Sequence, residues 1–364
     1  MNSEKKSRRI RPVWIVLALI IIILIKVTSY FPLFIEHYYS RGIYPVISSF
    51  YRIVFGWIPF SLGDLLYALA GVFLMLATIR TVKIIINRKR NGISYPRIIK
   101  KALLVLATIY IYFNISWGLN YNRPGIAYQL GMNPKTHTDG DIRMITAMLL
   151  KKVNENRVLL GDRKITIKSY DQVFRQAQNG YRNVATQFPF LEYRTRSIKK
   201  SIYGRMGNFL GFLGYFNPFT GEAQVNLTQP RFLIPYVSCH EMAHQLGYAS
   251  ESEANFVGYL AAINSTDTVF HYSAYFDLFN YANRELFLRD SSLAKNNYEQ
   301  LDILVKKDEE ELREYWRKSD NAIEPLIKLF YDHYLKANQQ DKGVQSYNEV
   351  IGWLISYYNK YGKI

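Results

Sequence analysis

Three long apolar runs near the N-terminus limit what this chain can fold into. "VWIVLALIIIILI" covers residues 13–25 and continues past Lys26 into "VTSYF"; a second run extends over about 57–79, with Asp64 near one end; "ALLVLATIYIYFNISW" fills 102–117. With their flanks each reaches about 20 residues, enough to cross roughly 30 Å of hydrocarbon. The expected spans are residues 10–30, 57–79 and 102–121. Lys26 and Asp64 must then lie near an interface or face another helix. No small-x-small cleavage site follows Ile25, so the first run reads as a retained anchor and not a signal peptide.

Charge sets the orientation. The chain carries 46 Lys/Arg and 29 Asp/Glu. Residues 1–120 hold 16 and 3 of these (net +13), leaving 30 and 26 (net +4) for residues 121–364. The basic excess thus belongs to the segment with the apolar runs, and no basic stripe is left for nucleic acid. "EKKSRRIR" precedes the first run and the basic loop 80–101, with "NRKR" at 87–90, lies between the second and third, whereas 31–56 holds only Arg41 and Arg52. The positive-inside rule makes the N-terminus and the 80–101 loop cytoplasmic. Everything after about Tyr121 is then extracytoplasmic. The aromatic segment 31–60 is expected to lie along the membrane interface. The lone cysteine, Cys239, excludes an internal disulfide framework.

The pattern gives an α+β chain: a membrane domain, residues 1–120, with three transmembrane helices, then a mainly helical domain, residues 121–364, with a small β-sheet. Helical periodicity marks about 141–159, 170–188, 235–246, 251–263, 293–318, 322–338 and 344–360. "SIYGRM" and "GEAQVN", between Gly, Pro and Asn, read as short strands and turns.

The chemistry concentrates in "SCHEMAHQLGYASESEANF", residues 238–256. His240 and His244 are four apart, so on a helix they share a face and can converge on one cation. Glu241 sits about 100° round the helix, too offset to ligate easily but placed to take a proton from a water. This is the HExxH division of labour in zinc hydrolases. Catalytic zinc has three protein ligands as a rule, and two carboxylates compete for third place. Ser250 and Glu253 fit a capping box, which occupies Glu253 structurally. Glu251 then falls at the first helical position, in line with Asn255, which can steady a ligand by hydrogen-bonding it. Glu253 is the alternative ligand; His271 is the remaining candidate. No Lys or Arg occurs from residue 232 to 283, which suits a cation. A buried helix pair that excludes long cations accounts for the same absence.

HExxH followed by "ESEAN" resembles the gluzincin pattern of zinc peptidases, and the resemblance implies Glu251 as third ligand. The spacing of six residues between His244 and Glu251 is far shorter than in the best-known gluzincins, and Asn255 stands where aspartate is commoner. Over about residues 39–347 the chain resembles the bacterial membrane family called domain of unknown function 3810. The matching segments are "YSRGIYP", "PFSLGDLLY", "WGLNYNRPG", "NPFTGEAQVN", "HEMAHQLGYASESEANF" and "YLKANQQDKGVQSY". That resemblance implies a membrane-anchored zincin-like hydrolase and names no substrate.

The expectation is a Zn2+-dependent metallopeptidase seated in the lipid bilayer, with a polypeptide substrate. Gly221, Glu222, Ala223, Gln224, Val225 and Asn226 are expected to form a cleft-edge strand that pairs with an extended peptide; a plain structural hairpin is the competing use. Tyr215, His271, Tyr272 and Tyr347 are the candidates to stabilise the oxyanion. The rival readings are a non-catalytic envelope protein with a structural zinc, and a zinc amidase acting on cell-wall material.

Overall fold

The computed structural model of the chain describes residues 12–86, 95–133, 137–162, 164–338 and 349–364. The N-terminal basic segment, "NRKR" at 87–90, Tyr347 and the start of the helix expected at 344 lie outside these residues.

The chain is mostly helical, with one three-stranded sheet. Among the described residues three helices are long and apolar enough to cross a membrane: α1 (Pro12–Ser29), and the apolar windows Leu62–Lys83 and Ile99–Ser116 within α3 (Leu62–Ile86) and α4 (Tyr95–Ser116). The second span starts five residues later than the apolar run suggests. Ser61 sets that start, its hydroxyl accepting the Asp64 N–H at 3.0 Å. The third stops at Ser116 and not near 121, because Gly118–Asn122 tightens into a 3-10 turn.

Segment 31–60, expected along the membrane interface, is largely helical. It folds into a π-helix, Ile35–Ile43, and α2, Tyr44–Gly56, whose buried Glu36, Tyr39, Ser40, Tyr44, Ser48 and Arg52 pack inward. Its exposed Phe50, Ile53 and Val46 still face outward.

Then come α5 (Asp139–Leu159), α6 (Tyr170–Ala185), β1 (Ile198–Lys200), α7 (Gly204–Leu210), β2 (Gly214–Asn217) and β3 (Glu222–Val225). The C-terminal elements are α8 (Ile234–Gln245), α9 (Glu251–Ile263), α10 (Thr268–Phe287), α11 (Ser291–Glu299), α12 (Ile303–Ser319), α13 (Glu324–Ala337) and α14 (Val350–Tyr361). The helix expected over 293–318 breaks at Gln300–Asp302, where Asp302 accepts the Leu304 N–H and caps a new helix. Periodicity missed the short α7, which takes up the end of "SIYGRM" where a strand was expected, and the long α10. The aromatic residues of α10 are buried on several sides, so no single apolar stripe marks it. It packs on α5, while α8 and α9 pack on each other beneath the sheet.

The sheet order is β1-β3-β2, with β1 parallel and β2 antiparallel to β3. Glu222, on β3, accepts the Gly63 and Leu62 N–H groups at 2.6 and 3.3 Å and so caps the N-terminus of α3. Lys199, on β1, donates to the Phe55, Gly56 and Ile58 carbonyls at the end of α2. Sheet and apolar helices are thereby bonded to each other.

Candidate metal centre

α8 starts with Pro235 in its first turn and ends in a Schellman turn. The Gly247 N–H bonds the His244 carbonyl and the Tyr248 N–H bonds the Ala243 carbonyl, with Gly247 at φ +88°. Ser250 then caps α9, accepting the Glu253 N–H, so Glu251 is its first residue. This short reversal lays Glu251 across the face carrying His240 and His244.

The donor atoms of His240, His244 and Glu251 all lie within 4.8 Å of one another. Glu251 Oε2 is 3.2 Å from His240 Nε2 and 3.7 Å from His244 Nε2. A tetrahedral ion with bonds of about 2.0–2.1 Å holds its ligands about 3.3 Å apart, so these separations suit one cation. His244 Nδ1 is 2.8 Å from the Tyr248 carbonyl, which makes Nδ1 the protonated nitrogen and leaves Nε2 its lone pair. Asn255 lies one turn along α9 within hydrogen-bonding reach of His240 and Tyr281. Its Nδ2 makes no well-formed hydrogen bond. Among the described residues no fourth His, Cys, Asp or Glu joins the cluster, which would leave an ion held there an open position.

Glu241 is buried and its Oε2 has no partner. Burial pushes its carboxyl up to about 7 against the pull of His240 and His244. Burial opposes charge on Glu251 and His240 too, yet their mutual hydrogen bond wins: Glu251 lies well below the usual carboxylate range and His240 rises to about 9. Cys239 is buried, and burial pushes its thiol up; it does not join the cluster.

Glu253 is elsewhere. Its Oε1 accepts the Ile126 N–H at 2.7 Å, and burial raises it to about 7 despite Arg123. Ser250 caps as expected, but the reciprocal carboxylate arm serves Ile126.

Gly221–Asn226 does not form a cleft edge. β3 is the central strand, with both edges paired, and Glu222, Ala223, Gln224, Val225 and Asn226 are fully buried. The edge beside the cluster is β2. A Cβ on Gly214 would lie 2.6 Å from Glu241 Oε1, and Phe216 packs on Trp117, whose ring meets His244. The oxyanion candidates that are described also point away. Tyr215 bonds the Asp64 carboxylate, Tyr272 donates to Asp308 at 2.6 Å, and His271 Nε2 is held at the Ser265 carbonyl.

Two residues escaped the sequence reading, both on α10. Asp277, raised to about 7 by burial and felt by His240, and Tyr281, which interacts with Asn255 and Glu251, are one turn apart. Asp277 is the only Asp, Glu, Lys or Arg between Asp267 and Arg284, a signal visible in the sequence.

The end of α8 is held from the N-terminal third. Trp117 Nε1 and Tyr44 OH donate to the His244 carbonyl at 3.2 and 3.3 Å, and Ser48 Oγ and Tyr44 OH to that of Gln245 at 2.7 and 3.1 Å. Arg123 Nη1 donates to the Gly247 carbonyl at 3.2 Å. These are the carbonyls a helix end leaves bare. Arg123 also qualifies the cation-free stretch, since the fold brings it in beside Tyr248. It arrives already paired, both oxygens of Glu36 accepting from it at 2.8 and 2.9 Å.

A family model described as Protein of unknown function (DUF3810) matches residues 39–355. No curated protein and no solved structure matches the chain.

Proposed function

We propose that this chain, which belongs to the DUF3810 family, is a membrane-anchored, zinc-dependent peptidase of zincin type whose metal-bearing domain is extracytoplasmic. The observation that carries the reading is a three-donor cluster with an open position beside a buried carboxylate, Glu241, that lacks a partner.

His240 Nε2, His244 Nε2 and a Glu251 oxygen would hold the ion. When bound, zinc supplies a Lewis acid and lowers the pKa of a coordinated water toward roughly 7. Glu241 would receive the water's proton at its free Oε2 and hand it to the departing amine. Asn255 orients the His240 ring, and the Tyr248 carbonyl orients that of His244. β2 has a free edge among the described residues, so an extended peptide can add to it by main-chain hydrogen bonds next to Glu241. That favours a polypeptide over a small molecule.

The test is elemental zinc analysis of the purified full-length protein beside Glu251→Ala, Glu253→Ala and Glu241→Gln. About one zinc per chain is expected, lost in Glu251→Ala and kept in the other two, with peptide hydrolysis abolished in Glu241→Gln. A well-folded wild type without zinc would sink the reading. Hydrolysis surviving in Glu241→Gln would remove Glu241 as the base.

A further inference from the structure

A cavity of about 590 Å³ lies between α3 and the α7–β2 segment. Tyr67, Gly71 and Met75 of α3 face Met206, Leu210 and Phe212 across it, and no charged side chain lines it. Two of its three tyrosine hydroxyls are turned out of the way: those of Tyr203 and Tyr215 bond the Asp64 carbonyl and carboxylate, leaving their rings to the cavity. Tyr67 and Met75 lie 5 and 13 residues beyond Leu62, or roughly 8 and 20 Å along a helix rising 1.5 Å per residue. With α3 across a membrane, that depth is hydrocarbon. Ile202, Met206 and Phe209, beside the cavity, are exposed apolar residues, as a segment dipping into lipid requires.

β2 connects this cavity to the metal centre. Successive side chains of a strand point to opposite faces. Gly214 and Phe216 face Glu241 and Trp117, whereas Tyr215 between them packs on Tyr67 of α3, ring centroids 6.2 Å apart. A peptide added to the free edge of β2 alternates in step, with one residue over the metal centre and its neighbour directed at the cavity. The volume falls in the range of whole-ligand sites, roughly 300–1,000 Å³, and exceeds what one amino-acid side chain fills.

We infer that this cavity receives the acyl chain of a lipid-anchored polypeptide, making acylated segments at the membrane surface the substrate class. The inference rests on the peptidase reading for the word substrate, but occupancy can be measured without turnover. An aliphatic chain is the ligand that a charge-free cavity at hydrocarbon depth selects. The sharing of Tyr215 with the strand beside Glu241 is what assigns that chain to a peptide and not to a bulk lipid.

Gly71 provides the blocking variant. A Cβ there meets no atom within 4 Å, so Gly71→Phe projects a ring into the path of an acyl chain without a backbone clash and sits in a helix interior that loses nothing by losing glycine. The experiment uses full-length Glu241→Gln protein in phosphatidylcholine nanodiscs. The probe is a peptide with an S-palmitoyl cysteine whose chain ends in a photoreactive diazirine; a parallel arm uses diazirine-bearing phosphatidylcholine. Mass spectrometry should find the peptide-borne label on Gly71, Met75, Met206 or Leu210. Excess unlabelled acyl peptide should compete it away, and Gly71→Phe should reduce it at least tenfold with zinc content unchanged. Equal labelling of the cavity by phosphatidylcholine, without competition by the peptide, would assign the cavity to bilayer lipid and overturn the inference. So would labelling that Gly71→Phe leaves intact. Acyl-dependent labelling together with no cleavage of any peptide by the wild type would instead count against the peptidase reading, and the acyl site would stand.

Discussion

Glu36→Ala leaves the Arg123 guanidinium buried without its carboxylate. In the wild type the pair is bidentate, at 2.8 and 2.9 Å, with side chains only 2% and 0% exposed. After the substitution Arg123 keeps the Gly247 carbonyl, the face of the Tyr248 ring and the Glu253 carboxyl nearby, which burial pushes toward its neutral form. Removing one partner of a buried pair costs about 3–5 kcal/mol. At about 2–4 °C per kcal/mol for domains of 150–250 residues, the midpoint of thermal unfolding should fall by roughly 6–20 °C. Replacing both residues, Glu36→Met with Arg123→Met, removes the stranded charge; what is left is mainly the bare Gly247 carbonyl, about 1–3 kcal/mol. The double variant should therefore unfold at a higher temperature than Glu36→Ala. The assay is intrinsic-fluorescence melting of full-length protein in detergent at one scan rate and one free zinc concentration, since both affect an apparent midpoint. A shift under 2 °C for Glu36→Ala, or a double variant as damaged as the single, would show that the pair is not a clamp on the α8 turn.

Other outcomes follow from the same geometry. Gly214→Val sets a side chain against Glu241 Oε1 and should cut peptide hydrolysis at least tenfold with zinc retained; unchanged activity would move the reacting carboxylate away from β2. Glu253 has a folded pKa raised from 4.5 to about 7, so its contribution is fully present below about 4.5 and is lost as pH rises through 7. Glu253→Gln should thus gain on the wild type between pH 5 and 8, by something on the order of 1–3 kcal/mol, in denaturant titrations; parallel pH profiles would refute the buried-acid account. A fragment of residues 121–364 lacks Tyr44, Ser48 and Trp117, so zinc binding should weaken at least tenfold by competitive chelation. Wild-type affinity in the fragment would make those contacts ornamental.

The local grammar of the centre was legible: two histidines one turn apart, a glycine where a left-handed residue is required, and Ser250 as cap, placing α9 at residues 251–263 as observed. Long-range placement was not. Glu36 and Arg123 are 87 residues apart, and nothing local in an aromatic segment reveals that a π-helix aims the acid inward. Strand order failed for a related reason. "GEAQVN" alternates like any edge strand, and only β1, arriving in parallel from 198–200, makes it central. Glu222 and Asn226 looked like groups for a ligand because their partners, the start of α3 and the α7 segment 204–212, are remote or featureless in sequence. α10 was hidden by its own burial, which erases the stripe that marks a surface helix.

The hydrogen bonds that close the end of α8 also impose an order on biogenesis. While the chain is emerging, the HExxH segment has no donors for its last carbonyls until residues 44, 48, 117 and 123 have found their places between and beside the apolar helices. On the proposed reading, insertion of the apolar helices would precede a competent metal site. The same dependence runs in reverse at the end of the protein's life. If the proposed function holds, a nick that separates residues 44, 48, 117 and 123 from α8 would disarm the site, and release from the membrane would act as an off-switch.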